Sequence, residues 1–178
     1  MYPLLDAQYA WLQGALARVN RTRTPWLVLL VHRAAYCTKS TDNECNSEAE
    51  ALRNGQLGLR APLEPLLAKF GVDFYFSGHT HHYERTWPVR DGMATQQNYV
   101  SPRAPIHVQT GIAGLDGNDP FDVPQQPWEA FRDLAFRPSY SRLELLNDTH
   151  ARFTQRHAAN GSVFDSFDLV QEAHGPFL

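Results

Sequence analysis

Three histidines fall within four residues at His79-Thr80-His81-His82, directly after the strand-like run Val72-Asp73-Phe74-Tyr75-Phe76-Ser77 and Gly78. Neutral imidazole is the commonest protein ligand for transition metals near pH 7. If the strand ends at Gly78, the residues beyond it lie on a loop, where His79 and His81 need not face the same way. Two ligands one residue apart can then serve two metal ions roughly 3.5–4 Å apart, the spacing of two-metal hydrolytic centres. Gly78 permits a backbone turn that a β-carbon would obstruct. A lone His-x-His also arises in loops with no metal role, and the pair by itself leaves both readings open.

A fourth histidine stands where it could join them. The run Trp26-Leu27-Val28-Leu29-Leu30-Val31 is apolar on both faces, as a central strand is, and it stops at His32-Arg33. Ligands of open α/β sheets gather at the carboxyl ends of strands. Between the two strands the spacing predicts a helix over Leu63–Phe70, with Gly71 as its C-cap. A strand–helix–strand crossover implies parallel pairing, which would bring His32 beside His79. The alternative is that both histidines are hydrogen-bonding strand caps. His107, in the alternating run Pro105–Gly111, either faces the site or caps the sheet.

The elements that must hold these residues read as follows. Asp6–Val19 carries Tyr9, Leu12, Leu16 and Val19 at helical spacing, with Trp11 and Ala15 widening the apolar face and Asp6 as N-cap. Ser47–Asn54 opens a helix with an acidic first turn, interrupted by Gly55 and Gly58. Asp91–Ser101 is a polar surface loop, and Leu115–Pro138 is a long loop anchored by Trp128 and Phe131. The tail predicts antiparallel strands over Ser139–Leu146, Ala151–His157 and Val163–Val170, turning at Asn147-Asp148 and Asn160-Gly161. Cys37 and Cys45, the only cysteines, enclose a polar segment, Thr38–Glu44. They are either disulfide-bonded near the mouth of the site or two reduced thiols; alone they lack the ligands for zinc.

Composition narrows the class. With 178 residues, 43% hydrophobic and 12% aromatic, the chain suits one folded domain with a sizeable core. A net charge of -3 gives no reason to expect nucleic acid or a membrane surface as partner, and no apolar run approaches a membrane span. The first residues, Met1-Tyr2-Pro3-Leu4-Leu5-Asp6, do not read as a signal peptide. Asn20, Asn147 and Asn160 open Asn-x-Ser/Thr patterns, candidate glycosylation sites with meaning only in a secretory context.

The whole string Gly78-His79-Thr80-His81-His82-Tyr83-Glu84-Arg85, followed by Thr86-Trp87-Pro88, resembles the last metal-binding motif of the purple acid phosphatases, within the calcineurin-like metallophosphoesterases. Pro25-Trp26, the run to His32-Arg33, and Tyr36-Cys37 resemble the motif that donates another metal histidine. Tyr140-Ser141-Arg142-Leu143 and Asn147-x-Thr149-His150 resemble the closing segment of that family. The resemblance implies an α/β fold, part of a four-layered sandwich around two β-sheets with a C-terminal antiparallel segment. It implies hydrolysis of small-molecule phosphate monoesters at an Fe(III)–M(II) pair, M being zinc, manganese or iron. By position, His32 and His79 resemble ligands of the divalent ion and His81 the ligand of the ferric ion. His82 sits at a variable position as a candidate outer group, and Glu84 and Arg85 read as a structural pair holding the loop. Such proteins are secreted, vacuolar or lysosomal.

The earlier motifs of that family, Gly-Asp-x-Gly, Gly-Asp-x-x-Tyr and Gly-Asn-His-Glu, are missing from these 178 residues. Residues 1–178 therefore read as the carboxyl-terminal part of a single metallophosphoesterase domain. No carboxylate in a recognisable motif is left to bridge two metals, and the proton donor is unassigned. Two function classes follow: an acid phosphatase whose intact parent is the enzyme, this chain alone being inactive, or a non-enzymatic remnant with at most weak metal or phosphate binding. Phosphodiesterase action is disfavoured by Tyr83-Glu84-Arg85.

Overall fold

A computed structural model describes residues 3–39, 44–55, 62–114, 121 and 123–177. The first helix, α1 (Pro3–Ala17), starts earlier than expected and places Asp6 in its first turn. Leu16 packs inward, whereas Trp11 is 66% exposed and does not widen the apolar face. Strand β1 (Val28–Leu30) is shorter than the apolar run that contains it. A π-helical turn over Glu44–Glu48 runs into α2 (Ala49–Asn54), which Gly55 closes in the left-handed conformation. Gly58, the second expected breaker, lies outside the described residues, as do parts of the loops over 38–44 and 115–138.

Helix α3 (Leu63–Phe70) has the expected bounds. Gly71 caps it at φ +62°, and a β-carbon there would lie 1.8 Å from the carbonyl oxygen of Gly175. Backbone hand and close approach both require glycine at this point. Strand β2 (Phe74–Ser77) follows, then β3 (Tyr83–Thr86), the short hairpin of β4 (Val89–Arg90) and β5 (Met93–Ala94), and β6 (Ile106–Thr110). After β7 (Glu129–Arg132) come β8 (Ser139–Leu145), β9 (His150–His157) and β10 (Val163–Val170). The tail strands stand close to their sequence-derived bounds. β3, the β4–β5 hairpin and β7 were not expected. β3 is buried at all four residues and so shows no period of two.

The main sheet has the order β1-β2-β6-β3-β7. β1, β2 and β6 are parallel, while β3 runs antiparallel to β6 and to β7. A second, three-stranded antiparallel sheet has the order β10-β9-β8. Alternation along the strands sorts the core. Phe74, Tyr83, Ile106 and Val108 meet Ala151, Phe153, Phe167 and Leu169 between the sheets. On the other face Tyr75 packs with Leu16, Leu66, Leu67 and Val72, beneath α1 and α3. The fold is mixed α/β, in three described layers: helices, mixed sheet, antiparallel sheet. Among the described residues no helix is long and apolar enough to cross a membrane.

Candidate functional site

Parallel pairing of β1 and β2 continues past both strand ends. Val31 donates to the Phe76 carbonyl at 2.9 Å, and the amides of Gly78 and His79 both donate to the His32 carbonyl, at 3.2 and 3.0 Å. The two strands therefore deliver His32 and His79 to one place. His79 Nδ1 lies 2.6 Å from His32 Nε2, with the rings 4.5 Å apart and nearly perpendicular. That contact requires one nitrogen to carry hydrogen and the other a lone pair. Two nitrogens sharing a tetrahedral ion at ~2.0–2.1 Å stand about 3.3 Å apart, so a ring movement of about 0.7 Å converts the contact into a pair of ligands.

His81 is half-buried on the same loop. Among the described residues no group of three His, Cys, Asp or Glu gathers at metal-ligand range. The described donor set thus fits part of a divalent-ion site; among the described residues it lacks the bridging oxygen ligands that a two-metal centre needs for its harder ion. The loop is nonetheless firmly fixed. Gln109 Nε2 donates to the Thr80 carbonyl at 2.5 Å, and Gly111 donates to the His82 carbonyl at 3.2 Å. A β-carbon on Gly111 would come within 2.0 Å of the Thr80 oxygen, so that glycine lets the loop lie on the end of β6.

Glu84 ties this loop to the segment after His32. Its buried carboxylate accepts the Thr38 amide at 2.9 Å, the Thr38 hydroxyl, and His82 Nε2 at 3.1 Å. Cys37 and Cys45 form a disulfide with Cα atoms 5.0 Å apart. Both sulfurs lie under the histidine loop, 3.9 and 3.8 Å from Thr80 Oγ1. The expected Glu84–Arg85 pair does not form. Successive strand residues point to opposite faces, and Arg85 instead makes a two-pronged ion pair with Asp165 on β10, at 2.6 and 2.8 Å. Tyr83 and Tyr99 complete that buried group.

Two buried ionisable residues lay beyond sequence reasoning or were left open by it. Glu129 is pushed up to about 7 by burial and by the nearby Glu84 charge. Nothing in its sequence context marks it, because its burial comes from the fold of β7 against β3. His107 sits in the helix-side core between Tyr36 and Tyr75, with ring centroids 4.8 Å from each. Among the described residues neither of its nitrogens has a hydrogen-bond partner, and burial, with the charge of Arg53, lowers its pKa to about 3. It is a neutral core residue and caps no strand among the described residues.

Comparison with known proteins places this geometry. Residues 2–83 match the calcineurin-like phosphoesterase family, and residues 104–166 match the family described as iron/zinc purple acid phosphatase-like protein C. Acid phosphatase type 7 of Danio rerio is 37% identical over 97% of this chain, which covers 42% of that protein. Fe(3+)-Zn(2+) purple acid phosphatase 12 of Arabidopsis thaliana is 32% identical over 91% of the chain and 34% of its own length. The purple acid phosphatase PPD1 from yellow lupin (Lupinus luteus) seeds superposes with a TM-score of 0.76 at 27% identity, over 92% of this chain and 28% of that one. The chain thus spans about two fifths of the length of the type 7 relative it matches. With both halves of its sequence and its fold in agreement, the chain belongs to the purple acid phosphatase family of calcineurin-like phosphoesterases.

Proposed function

We propose that these residues form the carboxyl-terminal part of one metallophosphoesterase domain, and that the intact protein hydrolyses phosphate monoesters as an acid phosphatase. The observation that carries the reading is the convergence of His32 and His79 at the ends of two adjacent parallel strands. His32 and His79 would hold a divalent ion, and His81 would serve a ferric ion whose oxygen ligands come from elsewhere in the protein. When bound, such a pair supplies a polarised phosphate oxygen and water that ionises near neutral pH. The chain's own residues do the positioning. The His32 carbonyl fixes the entry of the histidine loop, Gln109 and Gly111 fix its middle, and Glu84 fixes its exit through His82. The disulfide holds the segment after His32 against Thr80.

The similarity to proteins named acid phosphatases supports a phosphate ester as substrate. The test is an aryl phosphate assay at acidic pH on the protein extended by its upstream coding sequence. We expect turnover, falling by 10-fold to 100-fold or more in His32→Ala and in His79→Ala. Turnover unchanged in both variants would overturn the ligand assignment. Extended protein with correct metal content and no turnover would favour a non-enzymatic role.

A further inference from the structure

Strand β8 forms one edge of the antiparallel sheet and is seven residues long, whereas β1 and β7, at the edges of the main sheet, have three and four. The opposite edge, β10, is joined at its end by Tyr99–Ser101: Val170 donates to the Tyr99 carbonyl at 2.9 Å and Ser101 to the Val170 carbonyl at 2.6 Å. Leu146 donates to the His150 carbonyl at 2.9 Å, continuing the register that sets Leu145 opposite Ala151. Hydrogen-bonded and non-bonded pairs alternate along an antiparallel ladder, so Tyr140, Arg142 and Glu144 direct their backbone groups to β9. Ser141, Leu143 and Leu145 direct theirs to the outer edge. Among the described residues only the start of that edge is covered, where Ser139 donates to the Ile112 carbonyl at 3.1 Å. Exposed edges are ordinarily blunted by proline, lysine or a bulge. β8 contains neither residue and pairs with β9 without a break in register.

We propose that β8 pairs antiparallel with β8 of a second copy of this chain, about a two-fold axis at Leu143, joining two three-stranded sheets edge to edge. The charges select that register. Backbone bonding requires Ser141, Leu143 and Leu145 of one copy to face the same set in the other, which puts the axis on a residue rather than between two. An axis at Arg142 would set arginine against arginine, and one at Glu144 would set glutamate against glutamate. An axis at Leu143 sets Arg142 of each copy against Glu144 of the other, on the solvent face where the two already meet within one strand at 2.9 Å. The same register puts Tyr140 opposite Leu146, which are 45% and 54% exposed in the single chain. Leu143 packs at the margin of the core between the sheets and would meet its own copy there.

The test is light scattering of the purified chain over a concentration series, together with hydrogen exchange at the Leu143 and Leu145 amides. We expect the mass to double with rising concentration and both amides to become protected in step with it. Arg142→Glu and Glu144→Arg each bring like charges face to face at both ends of the ladder, and each is expected to weaken the dimer by about 10-fold or more. An equimolar mixture of the two variants, or both exchanges in one chain, restores opposite charges and is expected to restore the dimer. Leu145→Pro removes an outward amide and leaves the β9 ladder intact, so the dimer is expected to be lost while the fold is kept. Near-ultraviolet circular dichroism checks that each variant is folded. A chain that stays monomeric throughout overturns the proposal, whether its edge amides exchange freely or are covered by another segment of the same chain. A dimer indifferent to both charge reversals and to Leu145→Pro overturns it as well, because its interface then lies elsewhere.

Discussion

At the scale of single residues, the carboxylate of Glu84 shows how a motif residue acts without touching substrate. It gathers three donors from two loops in a buried place, and the donors have no water to turn to when it is changed. Glu84→Ala leaves them unsatisfied and is expected to cost about 2–4 kcal/mol of stability, read by urea unfolding. Glu129 gives a pH dependence of known sign. Its carboxyl ordinarily ionises near 4.5 and is pushed up to about 7 in the folded chain. Between those values the folded form holds a proton that the unfolded form has lost. Glu129 therefore favours folding fully below pH 4.5, and that contribution is lost as pH rises through 7. Urea midpoints of Glu129→Gln relative to the original chain should rise between pH 4 and pH 8. A constant difference would contradict the burial of this charge.

At the scale of elements, Arg85 and Asp165 join the main sheet to the antiparallel sheet across their shared core. Asp165→Asn strands a buried guanidinium and is expected to destabilise by about 3–5 kcal/mol, a loss that thermal unfolding would register. The β1, α3 and β2 crossover was legible because each piece carries its own signal: apolar runs of strand length, a helical period, and Gly71. The tail was legible because Asn160-Gly161 fixes a hairpin and its strands alternate. β3 was not, since Tyr83-Glu84-Arg85-Thr86 is polar by composition and buried only through partners far along the chain. β7 was hidden for the same reason. The assignment of Glu84 and Arg85 to each other failed because two adjacent charges suggest a pair, while a strand sends them to opposite faces. The meeting of His32 with His79 was readable from topology, whereas the hold of Thr38 on Glu84 had no local signature.

At the scale of the whole molecule, the sheet, its helices and the antiparallel sheet bring two imidazoles to one point and fix the loop that bears a third. A single divalent ion can be held by imidazoles alone, but two cations need anionic ligands between them. The chain by itself is expected to show little or no aryl phosphate turnover. The most direct measurement is a calorimetric titration of the purified chain with zinc, repeated on His32→Ala, His79→Ala and, as a control, His150→Ala. We expect at most one ion per chain, with affinity reduced by about 10-fold or more in the first two variants and unchanged in the third. Two tightly held ions per chain, or binding indifferent to both His32 and His79, would contradict the assignment of these residues as the divalent site.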